Sequence, residues 1–199
     1  MKTSLIYRDG RIYELLMRGL YGAHYKARFR AIAELIPEGV GVVDVCCGPG
    51  TLYTRYLRGK SVAYTGLDLN AGFIARLNAA GGRGQVWNVH ADTPLPAADY
   101  LVMQASLYHF LPDAAPIVDR MLAAARRQVI ITEPIRNLAT SDNPVLASIG
   151  RRCTDAGEGA QTRRFSEDTL DDLFRGYESR IVRRARIAGG REKLFVLEA

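Results

Sequence analysis

The stretch Val42-Val43-Asp44-Val45-Cys46-Cys47-Gly48-Pro49-Gly50-Thr51 constrains the fold more than any other part of the chain. An apolar run enters an acid, a loop with glycine at 48 and 50 follows, and a helical run opens at Thr51. In open α/β sheets, a buried strand ending at an acid and a glycine-bearing turn presents backbone N–H groups to a ligand. Gly48 and Gly50 let the backbone approach that ligand where a side chain would collide. Asp44 falls at the carboxyl end of the first strand, the edge at which such sheets bind. The same stretch separates cofactor classes. A dinucleotide fingerprint needs a third glycine where this chain has Tyr53, and a phosphate loop needs a Gly-Lys-Ser/Thr triplet that is absent. An acid and a small-residue loop without lysine suit a ligand with a cationic amino-acid part better than one with a pyrophosphate.

The rest of the chain reads as alternating strands and helices. Residues 9–36 predict two helices, broken near Gly19–Gly22 and stopped by Pro37 and Gly39, ahead of the first strand at 41–46. This segment is expected to cap the cleft, and Tyr21 and Tyr25 are candidates to line it, because cofactor pockets favour aromatics with a polar tip. A short helix runs from Thr51 to Arg58 and is closed by Gly59. The second strand, 62–68, again ends in an acid. Asp68 follows Gly50 by eighteen residues, near the spacing at which an acid accepts hydrogen bonds from ribose hydroxyls, with Leu69 and Asn70 on the loop beside ribose and base. Later strands are expected at 85–89, 99–104 and 128–132, with a helix over 114–127. The chain closes with a helix capped by Ser166 and a hairpin from Ser179 to Glu198. Residues 138–164 lack periodicity, and so long a connection is expected to cover the substrate.

Asp44-Val45-Cys46-Cys47-Gly48-Pro49-Gly50 resembles the first motif of class I S-adenosylmethionine-dependent methyltransferases, D-x-G-x-G-x-G, with Cys46 at the first glycine. The resemblance extends in order through Asp68, Asp92, the segment Leu107-Tyr108-His109 and the closing hairpin. It implies an α/β, Rossmann-like, seven-stranded and mostly parallel sheet, with an antiparallel last strand, helices on both faces and an N-terminal helical cap. One domain over 1–199 is expected, with the cap at 1–37 and the core at 38–199. The implied cofactor is S-adenosyl-L-methionine, contacted by Asp44, Cys46, Cys47, Gly48, Gly50, Asp68, Leu69, Asn70, Asp92 and Gln104. Asp92 stands where the family often meets the adenine amino group. The implied reaction is in-line methyl transfer to a nucleophile, with His109, Tyr108 and Glu133 as candidate proton acceptors or braces. Arg136 and Asn137 are candidate acceptor contacts.

A chain of 199 residues with 48% hydrophobic content supports one core. No apolar run reaches the roughly 18 residues of a membrane span, and the N-terminus lacks the apolar core of a signal peptide. Three cysteines, two of them adjacent, argue for a reducing cytoplasm rather than a disulfide framework. Cys46-Cys47 lacks the companions of a metal site. The net charge of +6 comes with an arginine cluster at 180, 183, 184, 186 and 191, read as the solvated face of the hairpin. A small-molecule acceptor is therefore expected rather than nucleic acid or membrane. The alternatives are a non-catalytic S-adenosylmethionine-binding module and an RNA methyltransferase using the arginine cluster.

Overall fold

A computed structural model describes residues 22–88, 93–135 and 163–199. Seven strands form one sheet: β1 (Gly41–Val45), β2 (Ala63–Asp68), β3 (Arg83–Val86), β4 (Ala98–Gln104), β5 (Ala125–Pro134), β6 (Ile181–Ile187) and β7 (Glu192–Glu198). Their order is β3-β2-β1-β4-β5-β7-β6. The first five pair in parallel, and β7 inserts antiparallel between β5 and β6.

Alternation along β1 feeds a core on each side of the sheet. Val43 and Val45 join one cluster with Ile117, Val118 and Met121 of helix α3 (Ala115–Ala124) and Leu170 and Phe174 of helix α4 (Glu167–Arg175). Val42 joins the other, with Tyr25, Phe29 and Ile32 of α1 (Tyr25–Ala33) and Leu77 of α2 (Ala71–Ala79). The expected two-faced parallel sheet with an antiparallel last strand is thus present.

Several boundaries differ from the sequence expectation. The cap helix ends at Ala33 rather than Ile36, because the Lys60 ammonium donates to the Ala33 and Ile36 carbonyls at 2.6 and 2.7 Å and closes the turn. After Thr51 and Leu52 the chain widens into a π-helical turn, Tyr53–Leu57, followed by a 3-10 turn, Arg58–Lys60. The left-handed stop is Ser61, at φ 52°, not Gly59. The third strand begins at Arg83, two residues earlier than expected, since Gly84 pairs with Gly66 in the ladder. The helix expected to reach 127 stops at Ala124. Residues 125–134 pair with β4 and β7, so sheet hydrogen bonding overrides the helical period of Arg126 and Arg127. Residues 93–97 connect to β4 without a helix, as their prolines lead one to expect. No helix among the described residues is long and apolar enough to cross a membrane.

Candidate active site

A cleft opens at the carboxyl ends of β1 and β4. One wall is the loop 46–52, the second is Gln104, Ala105 and Ser106 after β4, and the third is Tyr25, Arg28 and Phe29 of α1.

Asp44 stands at the base of the cleft, 3% exposed. The Tyr64 hydroxyl donates to its Oδ2 at 2.7 Å. Burial pushes its carboxyl up to about 7, against the pull of that hydrogen bond and with a further push from Asp68. A ligand cation would relieve this cost directly.

Asp68 ends β2 and holds two loops together. Its Oδ2 accepts from Gly48 N–H and its Oδ1 from Asn70 N–H, both at 2.8 Å. Burial raises its carboxyl above the ordinary range, and the two N–H donors oppose the rise. Asn70 is the N-cap of α2, its side-chain oxygen accepting from Gly72 and Phe73 N–H. Leu69 is 48% exposed on the same turn.

The two loop glycines do different work. A Cβ on Gly48 would meet no protein atom within 4 Å, so its free side faces open space. A Cβ on Gly50 would lie 2.6 Å from Leu77 Cδ1, and Gly66, Gly82 and Gly84 press on the same leucine. Both sit at positive φ, 56° and 72°, and at Gly50 the packing against Leu77 excludes a side chain as well. Cys46 takes φ 59°, keeping the left-handed backbone expected of the glycine it replaces. Ala105 does the same at φ 51° on the opposite wall. Each such non-glycine residue costs on the order of 1–3 kcal/mol and marks a held conformation. Cys46 packs toward one core and Cys47 toward the other. Burial raises the Cys47 thiol well above its ordinary titration range, so it lines the cleft as a neutral thiol.

Gln104 lines the cleft with its amide Nε2 buried and without a hydrogen-bond partner. Gly50, Asp68, Leu69, Asn70, Tyr108, His109 and Glu133 are not among the described residues of the cleft wall. Tyr108 is buried beneath the Arg164 guanidinium, 3.9 Å from the ring centroid, and the His109 ring lies 4.0 Å from that of Tyr108. Glu133 is 1% exposed and accepts from Leu107 N–H at 2.9 Å. It braces the turn that follows Ser106. Tyr21, Asp92, Arg136, Asn137 and most of the 138–164 connection lie outside the described residues.

Burial pushes the Glu133 carboxyl up to about 8, with Glu192 adding and Arg164 and Arg28 opposing. The folded protein therefore keeps this proton after the unfolded chain has lost it, and stability falls as pH rises from about 4.5 to 8. Glu133→Gln keeps an acceptor for Leu107 N–H and cannot ionise. Its melting temperature should gain on the wild type between pH 5.5 and 8.5; a widening deficit over that range would contradict the assignment.

Arg28 and Phe29 are cleft residues that sequence reasoning did not single out. The available signal was an arginine on the stripe Tyr25, Arg28, Phe29, Ile32, a face otherwise apolar at helical spacing.

The strand order, the inserted antiparallel β7 and the acid–glycine loop after β1 together define the class I S-adenosylmethionine-dependent methyltransferase fold. The putative methyltransferase in a complex with the Haloferax volcanii Trm112 methyltransferase activator is similar over 100% of this chain and 99% of its own, at TM-score 0.71 and 14% identity. Magnesium protoporphyrin IX methyltransferase from Synechocystis PCC 6803, with bound S-adenosylhomocysteine, is similar over 100% and 89%, at 0.61 and 14%. An O-methyltransferase family 2 protein from Planctomyces limnophilus in complex with apigenin is similar over 94% and 60%, at 0.61 and 15%. Comparison with curated proteins gives no match. The chain belongs to the MetW family: the pattern described as methionine biosynthesis protein MetW matches residues 26–138, more than half of its length.

Proposed function

We propose that this protein is an S-adenosylmethionine-dependent methyltransferase acting on a small-molecule acceptor. The observation that carries the reading is a buried acid and a buried guanidinium, Asp44 and Arg28, in one cleft beside the Gly48 loop. That charge pair is complementary to the ammonium and carboxylate of an α-amino acid, not to a phosphate. The open side of Gly48 leaves room for the ligand, and the unpartnered Gln104 amide offers it a donor. The donor set therefore fits S-adenosylmethionine.

In this reading Asp44 takes the ammonium, Arg28 the carboxylate and the remaining lone pairs of Asp68 the ribose hydroxyls. Bound there, the cofactor supplies a methyl group activated by its sulfonium. The protein's own contribution is placement. The walls at Gln104–Ser106 and Tyr25–Phe29 hold the acceptor in line, and orientation of this kind supplies on the order of 7–11 kcal/mol of a barrier.

The small-molecule acceptor is supported by the state of the arginine cluster. Arg184 pairs with Glu178 at 2.6 Å and Arg186 with Glu167 at 2.8 Å. Two of the five arginines of the cluster are thus held by carboxylates of the protein's own surface.

The test is calorimetric titration with S-adenosylmethionine, S-adenosylhomocysteine and NADH, followed by an acceptor screen that reads S-adenosylhomocysteine formation. The first two ligands are expected to bind and NADH not. The ammonium needs an ionised Asp44, whose carboxyl titrates near 7. Affinity for S-adenosylhomocysteine should therefore rise about tenfold from pH 6 to pH 8, and the rise should vanish in Asp44→Asn. A flat profile in the wild type would remove Asp44 from the ammonium site.

A further inference from the structure

We infer that Glu192, on the antiparallel strand β7, is a positioning residue that sets the Arg28 guanidinium in the cleft and thereby gives the site its selectivity for ligands with a free carboxylate. The inference rests on the proposed cofactor reading.

Glu192 has 0% exposure and Arg28 has 3%. Arg28 Nε lies 2.8 Å from Glu192 Oε1. The contact is one of charge: it lacks hydrogen-bond alignment, and neither Glu192 oxygen has a hydrogen-bond partner. A carboxylate wholly removed from water stays ionised only beside a compensating cation. Glu192 thus binds Arg28 to one place, and Arg28 lines the cleft.

The hairpin makes a second contact with the cap. The turn between β6 and β7 carries Gly189 at φ 66°, and a Cβ there would lie 2.5 Å from His24 Cε1. His24 immediately precedes α1. The hairpin therefore fixes α1 at its start through His24 and one turn on through Arg28. Glu192 is placed for this role by its pairing with Pro134 at the end of β5, which sets it at the same edge of the sheet as the cleft. Asp44 supplies the site's anion from the sheet, and Arg28 supplies its cation from the cap.

The experiment compares two probes, S-adenosylhomocysteine and 5′-methylthioadenosine, which share the thioadenosine part and differ in the amino-acid end. Three proteins are titrated with each: wild type, Glu192→Gln, and the double variant Arg28→Met with Glu192→Leu. The double variant removes both charges together, so no unpaired buried charge is left to unfold the protein, and its melting temperature verifies this. The expected result is a loss of tenfold or more in S-adenosylhomocysteine affinity in both variants, with 5′-methylthioadenosine affinity changed less than twofold. Wild-type affinity of either variant for S-adenosylhomocysteine would overturn the inference. Equal losses for both probes would also overturn it, since they would make the pair a general support of the fold. A wild-type protein that binds neither probe would instead overturn the cofactor reading itself, and this inference with it.

Discussion

Leu77→Ala is expected to lower the melting temperature by about 10 °C or more, from a loss of about 3–5 kcal/mol typical of a buried leucine. Leu77 has no exposure, and four glycines, at 50, 66, 82 and 84, lie against it so closely that a Cβ on any of them would collide or crowd with it. Its side chain fills the space between α2, the ends of β2 and β3, and the underside of the Gly48–Gly50 loop. Truncation leaves a cavity that four side-chain-free residues are poorly able to fill, so relaxation is limited. The floor of the loop is lost at the same time, so S-adenosylhomocysteine affinity should fall with stability. Leu77→Met keeps the volume and should cost less than about 1.5 kcal/mol. Differential scanning calorimetry of the two variants checks this: equal losses would mean that volume at position 77 is not what holds the loop.

Asp68→Ala is expected to reduce S-adenosylhomocysteine affinity by about a hundredfold or more while leaving the sheet folded. The substitution removes the acceptor for the ribose hydroxyls. It also strips Gly48 N–H and Asn70 N–H of the carboxylate that both use at 2.8 Å, and an unsatisfied donor of this kind costs about 1–3 kcal/mol. Asp68→Asn keeps one oxygen acceptor and should fall between. Calorimetric titration of both variants, with far-ultraviolet circular dichroism to verify folding, separates the outcomes. Unchanged affinity in a folded Asp68→Ala protein would sink the ribose assignment.

Glu133 illustrates the distance between a plausible residue and its place. Its position after the fifth strand puts a carboxylate at the ligand edge of the sheet, and sequence alone leaves it equally a proton acceptor or a brace. The structure buries it under Leu107 N–H, as a support for the turn that carries Ser106 into the cleft. Gly50 differs in a similar way. Its spacing from Gly48 suggests a shared purpose, yet one glycine faces the cleft and the other faces Leu77. The end of the cap helix at Ala33 follows from a contact that no local pattern reveals, Lys60 reaching the Ala33 and Ile36 carbonyls.

The elements that depend on near neighbours in the chain were determined by the sequence itself. The apolar run into Asp44, the turn at Gly48, the acid ending β2 at Asp68 and the cap at Ser166 are set by short-range patterns of burial and backbone freedom. From these follow the alternation of strands and helices and hence a mostly parallel sheet with a ligand edge. Tertiary structure alone decided the third wall of the cleft and its cation. Arg28 enters the site because Glu192, 164 positions later, comes beside it when β7 inserts between β5 and β6. The energy of that contact depends on removing two distant charges from water together. No local period records such a pairing, because it exists only once the sheet has closed around it.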